Sequence, residues 1–156
     1  MKISDILEEN LVMASLPGAT KEEIINSMID LISQSSKVLD KAKVRTAVYD
    51  REKIMSTGVG NGFAIPHGKT DAVSDVVAAF GVTANPIDYQ SLDDKPVRLV
   101  FLLVGKESMV GPHIKLLSRI SRLMNKEDFR NHLLELKTSQ AILEAFRHEE
   151  ANYIEM

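Results

Sequence analysis

A three-layer α/β/α sandwich, with a small mixed β-sheet flanked by helices on both faces, is the fold class the sequence predicts, on three observations. Apolar residues recur at helical spacing towards both ends of the chain. Between them lie two apolar segments, 76–82 and 97–104, the second so nearly continuous that a strand there is buried on both faces. Strands and helices do not alternate regularly, which argues against a doubly wound Rossmann arrangement. With 156 residues, 44% of them apolar, and no repeat or low-complexity block, the chain reads as one domain over 1–156 with a proper core.

The elements follow in order. Thr20-Lys21-Glu22-Glu23 is a capping-box signature, and Ile24, Ile25, Met28, Leu31 and Ile32 then mark one apolar face of a helix. A second helical pattern covers 38–51, where Val44, Ala47, Val48 and Arg51 share a face, so that an inward-looking stripe ends in a charge. Ser56-Thr57-Gly58-Val59-Gly60-Asn61-Gly62 is too rich in glycine for a stable helix. Phe63-Ala64-Ile65 is a short apolar segment stopped by Pro66, and Asn85-Pro86 and Asp93-Asp94-Lys95-Pro96 punctuate the link between the two strands. Pro112 suits the first position of a helix carrying Leu116, Leu117, Ile120, Leu123 and Met124. A helix restarting near Asn125 carries Phe129, Leu133 and Leu134, and Thr138 caps a last one with Ala141, Ile142, Ala145 and Phe146 inside.

Composition narrows the chemistry. There is no cysteine, hence no disulfide, thiolate metal site or cysteine nucleophile. With 19 basic against 22 acidic residues, nothing draws the chain to nucleic acid. The longest strongly apolar run is far too short to cross a bilayer, and the amino terminus shows no signal peptide, so a cytoplasmic location is expected. Chemistry falls to histidine, carboxylate, serine or threonine.

Three residues stand out. His67, in Pro66-His67-Gly68, is expected at a strand end with its ring presented rather than packed, where neutral imidazole can accept a transferable group. A turn histidine is the plainer alternative. His113, in Gly111-Pro112-His113, falls in the first turn of a helix, where free N–H groups and the dipole favour an anion; it also shares a face with Leu117, Ile120 and Met124 and so fits the polar rim of a core. Arg51 can take two phosphoryl oxygens at once, or form an ordinary salt bridge with Asp50 or Glu52. His132 and His148 read as solvated positions without a role. Gly62 to Gly68-Lys69-Thr70 is no P-loop, because five residues rather than four separate the glycines and Pro66 interrupts them. Without a His-Glu-x-x-His pair or cysteine, a zinc site from His67 and His113 has little support; no metal and no cofactor are expected.

Arg51-Glu52, the run Ser56-Thr57-Gly58-Val59-Gly60-Asn61-Gly62-Phe63-Ala64-Ile65-Pro66-His67-Gly68, and Gly111-Pro112-His113-Ile114-Lys115-Leu116-Leu117-Ser118-Arg119-Ile120 together resemble the enzyme IIA domain of the fructose/mannitol class. That class belongs to the bacterial phosphoenolpyruvate-dependent sugar phosphotransferase system and includes nitrogen-regulatory enzyme IIA proteins. Phe63 departs from the family, which more often has a branched aliphatic residue there. The resemblance implies a mixed sheet between helical layers, His67 as the phosphorylated residue, and His113 and Arg51 beside it stabilising the phosphoryl group. It also implies a donor, phospho-HPr or a nitrogen-branch paralogue, and a recipient, an enzyme IIB component or a regulated target protein. An apolar docking face around His67 is expected, with Phe63 and Ile65 as contributors. A phosphocarrier feeding a sugar permease and a regulatory module whose phosphorylation switches partner binding share this chemistry. The chain shows no HPr-like, enzyme IIB or membrane segment, which fits either and tilts the reading towards regulation. A non-catalytic α/β interaction domain is the third reading.

Overall fold

The computed structural model describes residues 2–154; residues 1, 155 and 156 of the expected domain lie outside the described residues. A helical turn α1 (Ile3–Ile6) and a 3-10 turn at Glu9–Leu11 lead into β1 (Val12–Leu16), followed by α2 (Lys21–Ile32) and α3 (Lys41–Ile54). Three short strands come next, β2 (Gly58–Gly60), β3 (Phe63–Ala64) and β4 (His67–Lys69), then the long pair β5 (Val77–Ile87) and β6 (Val97–Gly105). Helices α4 (Val110–Met124), α5 (Glu127–Glu135) and α6 (Ser139–Ile154) close the order.

The strands form one mixed sheet in the order β1-β5-β6-β3-β2, with β4 also paired to β6. β5 and β6 are antiparallel, whereas β1 runs parallel to β5, and β3 and β4 parallel to β6. β6 is buried on both faces, as its apolar run predicts. Leu99, Phe101 and Leu103 face a core built with α1, α4, α5 and α6, while Val100, Leu102 and Val104 face a second core built with α2 and α3. The expected three-layer sandwich is the observed one. Four phenylalanines knit the first core: Phe146 meets Phe80 at 5.0 Å and Phe129 at 5.2 Å between ring centroids, edge to face, and Phe101 at 5.8 Å.

Local chemistry explains most boundaries. Thr20 Oγ1 accepts the Glu23 N–H at 3.2 Å and starts α2. α3 starts at Lys41 rather than near residue 38, because Asp40 caps it through the Lys43 N–H at 3.2 Å while Val38 bridges to Val73. Pro112 occupies the third position of α4, not the first; its missing N–H still falls among those a helix start leaves unpaired. Thr138 Oγ1 accepts from Ala141 N–H at 3.1 Å at the start of α6. Asn61 and Gly62, with φ of 58° and 81°, make the tight hairpin between β2 and β3, a turn in which both central residues need positive φ. The buried carboxylate of Glu150 accepts the N–H groups of Ile3 and Ser4 and so caps α1 from α6.

Gly68 is fixed by packing. The space beside it is not open but filled by α3. A Cβ at this position would lie 3.1 Å from the Ala47 carbonyl carbon and 3.2 Å from Ala47 Cβ and Val48 N. Both neighbours are backbone or Cβ atoms, which cannot swing away. Gly68→Ala is therefore expected to lift α3 off β4 at a cost of about 1–3 kcal/mol, seen as a lower urea midpoint.

Candidate functional site

Four parts of the chain meet at one end of the sheet. His67 opens β4, which lies on β6 with His67 paired to Leu103 and Lys69 to Gly105. It begins a strand, rather than ending one as expected: the chain breaks its pairing at Ile65-Pro66 between β3 and β4, and that break leaves the Ile65 carbonyl free to turn toward the ring. His67 Nδ1 lies 2.8 Å from the Ile65 oxygen. A carbonyl only accepts, so the proton sits on Nδ1 and the lone pair on Nε2.

His113 comes from the first turn of α4, and its ring centroid is 5.7 Å from that of His67, with the planes tilted by 51°. It is 5% exposed, and neither ring nitrogen has a hydrogen-bond partner. The ring lies against Gly105 at the end of β6, where a Cβ would come within 3.0 Å of Nδ1. A buried polar ring with both nitrogens unpaired is costly unless something at the site completes it. A cavity of about 320 Å³ adjoins it between the start of α4 and Asp75 and Val76, with Lys106 and Lys115 among its walls.

Arg51 lies in the last turn of α3, where its guanidinium donates to the Met55 carbonyl at 2.9 Å. Among the described residues it forms no ion pair with Asp50 or Glu52. Its charge bears on His67, as does that of Lys69. Burial, reinforced by these two cations, holds the His67 imidazole below its ordinary 6.5 against the opposing Ile65 hydrogen bond and the Glu52 charge. Burial and the nearby His67 and Lys69 push His113 down to about 4. Both rings are neutral at neutral pH in an electropositive setting, which suits a nucleophile beside a hydrogen-bond donor for an anion.

A stability prediction follows. The unfolded chain binds protons at these histidines near pH 6.5, the folded chain only lower, with His113 as low as about 4. Their contribution is complete above pH 6.5 and is lost as pH falls towards 4. The urea midpoint should drop across that window, and the drop should be shallower in His113→Gln.

One sequence expectation about the surface needs correction. Phe63 and Ile65 are 1% and 5% exposed and pack inside the first core, so they line no docking surface. Among the exposed apolar side chains, Ile54 and Met55 follow Arg51 in the chain, and Met109, Val110 and Ile114 flank His113. Glu52, which in the sequence offers only a salt bridge to Arg51, lies 8% exposed and takes hydrogen bonds from Thr57 and Tyr89. His132 and His148 are exposed, far from these groups in role as in sequence. Among the described residues no three His, Asp or Glu side chains stand close enough to hold a metal, and no helix is long and apolar enough to cross a membrane.

Residues 5–149 match the family described as phosphoenolpyruvate-dependent sugar phosphotransferase system, EIIA 2. The chain belongs to that family. Within it, the chain is 39% identical over 140 residues to the fructose-specific EIIA component of Haloferax volcanii, covering 90% of this chain and 91% of that protein. It is 35% identical over 144 residues to the fructose-specific EIIABC component of Bacillus subtilis; that match takes in 92% of this chain but only 23% of the larger protein. Nitrogen regulatory protein IIA-Ntr from Neisseria meningitidis superposes with a TM-score of 0.85 at 29% identity, over 92% of this chain and 98% of that one.

Proposed function

We propose that this chain is a phosphocarrier in which His67 Nε2 receives a phosphoryl group from the phosphohistidine of HPr or a paralogous carrier and passes it to an enzyme IIB component. The observation that carries the reading is the engaged Nδ1 of His67, which leaves Nε2 as the lone-pair atom, next to a buried His113 ring that lacks any partner. The Nε2 lone pair forms the new P–N bond as the donor's P–N bond breaks, and the donor imidazole leaves with that electron pair. No proton has to be removed from the attacking atom. The positive charge that develops on the ring is met by the Ile65 carbonyl through Nδ1–H.

The transferred group carries roughly −1.5 to −2 charges. His113 donates a ring N–H to its oxygens, Arg51 swings its fork from Met55 onto two of them, and the start of α4 adds its dipole. Phosphoryl transfer asks mainly for alignment and charge stabilisation, and these groups supply both from protein alone. The carrier docks on the two exposed apolar groups that flank the histidines, Ile54 with Met55 and Met109 with Val110 and Ile114. Ile114, 60% exposed, is the sharpest probe: Ile114→Asp should raise the KM for the phosphorylated carrier about tenfold or more with little change in kcat.

A second reading keeps the same chemistry and makes the phosphate a signal that controls contact with a target protein. The close superposition on a nitrogen regulatory protein supports it, as the fructose-specific relatives support the first. Incubation with phosphoenolpyruvate, enzyme I and either the sugar-branch or the nitrogen-branch carrier tests both. Acid-labile incorporation of one phosphoryl group per chain is expected, with the faster donor naming the branch. No incorporation from either carrier would favour the non-catalytic interaction domain.

A further inference from the structure

Glu52 is a buried carboxylate that the transfer step does not use, yet it is fully committed. Its Oε2 takes the Thr57 N–H at 2.7 Å and the Lys21 ammonium at 3.1 Å. Its Oε1 takes the Thr57 hydroxyl and the Tyr89 hydroxyl, the latter at 3.1 Å. Lys21 is held in turn over the Tyr89 ring, 4.7 Å from its centroid. Partners from α2, from the segment after β5 and from the loop after α3 therefore converge on one side chain, and both its oxygens are satisfied.

The backbone carries this order to the nucleophile. Thr57, clamped through its N–H and its hydroxyl, presents its carbonyl to the Ile65 N–H at 3.0 Å. Ile65 in turn presents its carbonyl to His67 Nδ1 at 2.8 Å. The sequence of contacts is Glu52 carboxylate, Thr57 peptide, Ile65 peptide, His67 ring. Each link fixes the next acceptor in space, and the last fixes which nitrogen of His67 holds the proton.

We propose that Glu52 is a positioning residue for phosphoryl transfer, setting the Nδ1–H tautomer of His67 through Thr57 and the Ile65 carbonyl and so keeping Nε2 free to attack. Neutral imidazole in water divides its proton between the two nitrogens, and a displaced Ile65 carbonyl removes the bond that selects one. In Glu52→Gln a single acceptor oxygen has to serve four donors. With the amide oxygen kept towards the Thr57 N–H, the NH₂ falls to the Thr57 and Tyr89 hydroxyls, which must turn to accept, and Lys21 loses its charge partner, so the Thr57 clamp loosens. Thr57→Val tests the same link more gently, removing the hydroxyl while keeping the Thr57 peptide and its bulk.

The inference rests on His67 being the phosphoryl acceptor, and its test is read without any donor present. Long-range ¹H–¹⁵N NMR of the full chain reports the His67 tautomer directly. The native protein should show Nδ1–H alone. Glu52→Gln should show a mixture and accept phosphate from its carrier about 10- to 100-fold more slowly, with Thr57→Val shifted in the same direction. Glu150→Gln serves as the control: it disturbs a carboxylate that is also buried, at 1% exposed, and whose hydrogen bonds go to Ile3 and Ser4 rather than towards His67, and should lower stability while leaving tautomer and rate unchanged. An unaltered His67 tautomer in Glu52→Gln, or in Thr57→Val should Glu52→Gln fail to fold, overturns the proposal. So does an equal tautomer shift in Glu150→Gln, which would mean general loosening. A native chain that takes no phosphate at all would instead refute His67 as acceptor and leave the tautomer result standing.

Discussion

Replacing His67 with alanine is expected to abolish phosphoryl acceptance outright while the fold survives. The ring is half-buried, belongs to neither apolar core, and gives up one hydrogen bond to a backbone carbonyl that can turn to water. Nothing nearby can take over. His113, the closest imidazole, is 5% exposed and its ring is pressed against Gly105, out of reach of a docked donor. Label incorporation from phosphorylated carrier should fall to background, with circular dichroism and urea midpoint close to native.

Removing the groups that receive the charge is the second large effect. Arg51→Ala and His113→Ala should each slow transfer by about 10²- to 10³-fold, the range seen when one donor to a developing oxyanion is lost. Stability should move little in Arg51→Ala, whose only described bond is to the Met55 carbonyl at the fraying end of α3. His113→Ala leaves no orphaned hydrogen-bond partner, because neither ring nitrogen has one. Arg51→Lys separates charge from geometry: it keeps the cation but loses the two-pronged fork, so an intermediate rate is expected. The double variant should fall short of the product of the single effects, since both groups act on one set of oxygens. Single-turnover kinetics on the four purified variants would measure these effects.

Much of this was legible in the sequence, and what was not has identifiable causes. The α2 cap at Thr20 and the doubly buried β6 announce themselves through residues adjacent in the chain. His67, Arg51 and His113 stand out in the sequence because each sits in a distinctive local pattern, and the fold brings them near one another. β1 was missed for a structural reason. Its pairing with β5 shifts register between Met13 and Leu16, so Val12 enters one core and Leu16 the other. A strand that changes faces midway carries no period-two signal. Phe63 and Ile65 lie close to the histidine in sequence, which suggests a shared surface, but the pairing of β3 with β6 turns them inward. The reason for Gly68 exists only in the packed structure, where α3 fills the space beside it. Glu52 stayed hidden because its donors come from α2, from Thr57 and from Tyr89, a convergence that exists only after folding.

The measurement that bears most directly on the account is where the phosphorus goes. The chain, uniformly labelled with ¹⁵N and phosphorylated by its carrier, should show one acid-labile phosphoryl group with phosphorus–nitrogen coupling at Nε2 of His67, while Nδ1 keeps its proton and its bond to Ile65. Phosphorus at Nδ1 of His67, on His113 or on any other side chain would contradict it.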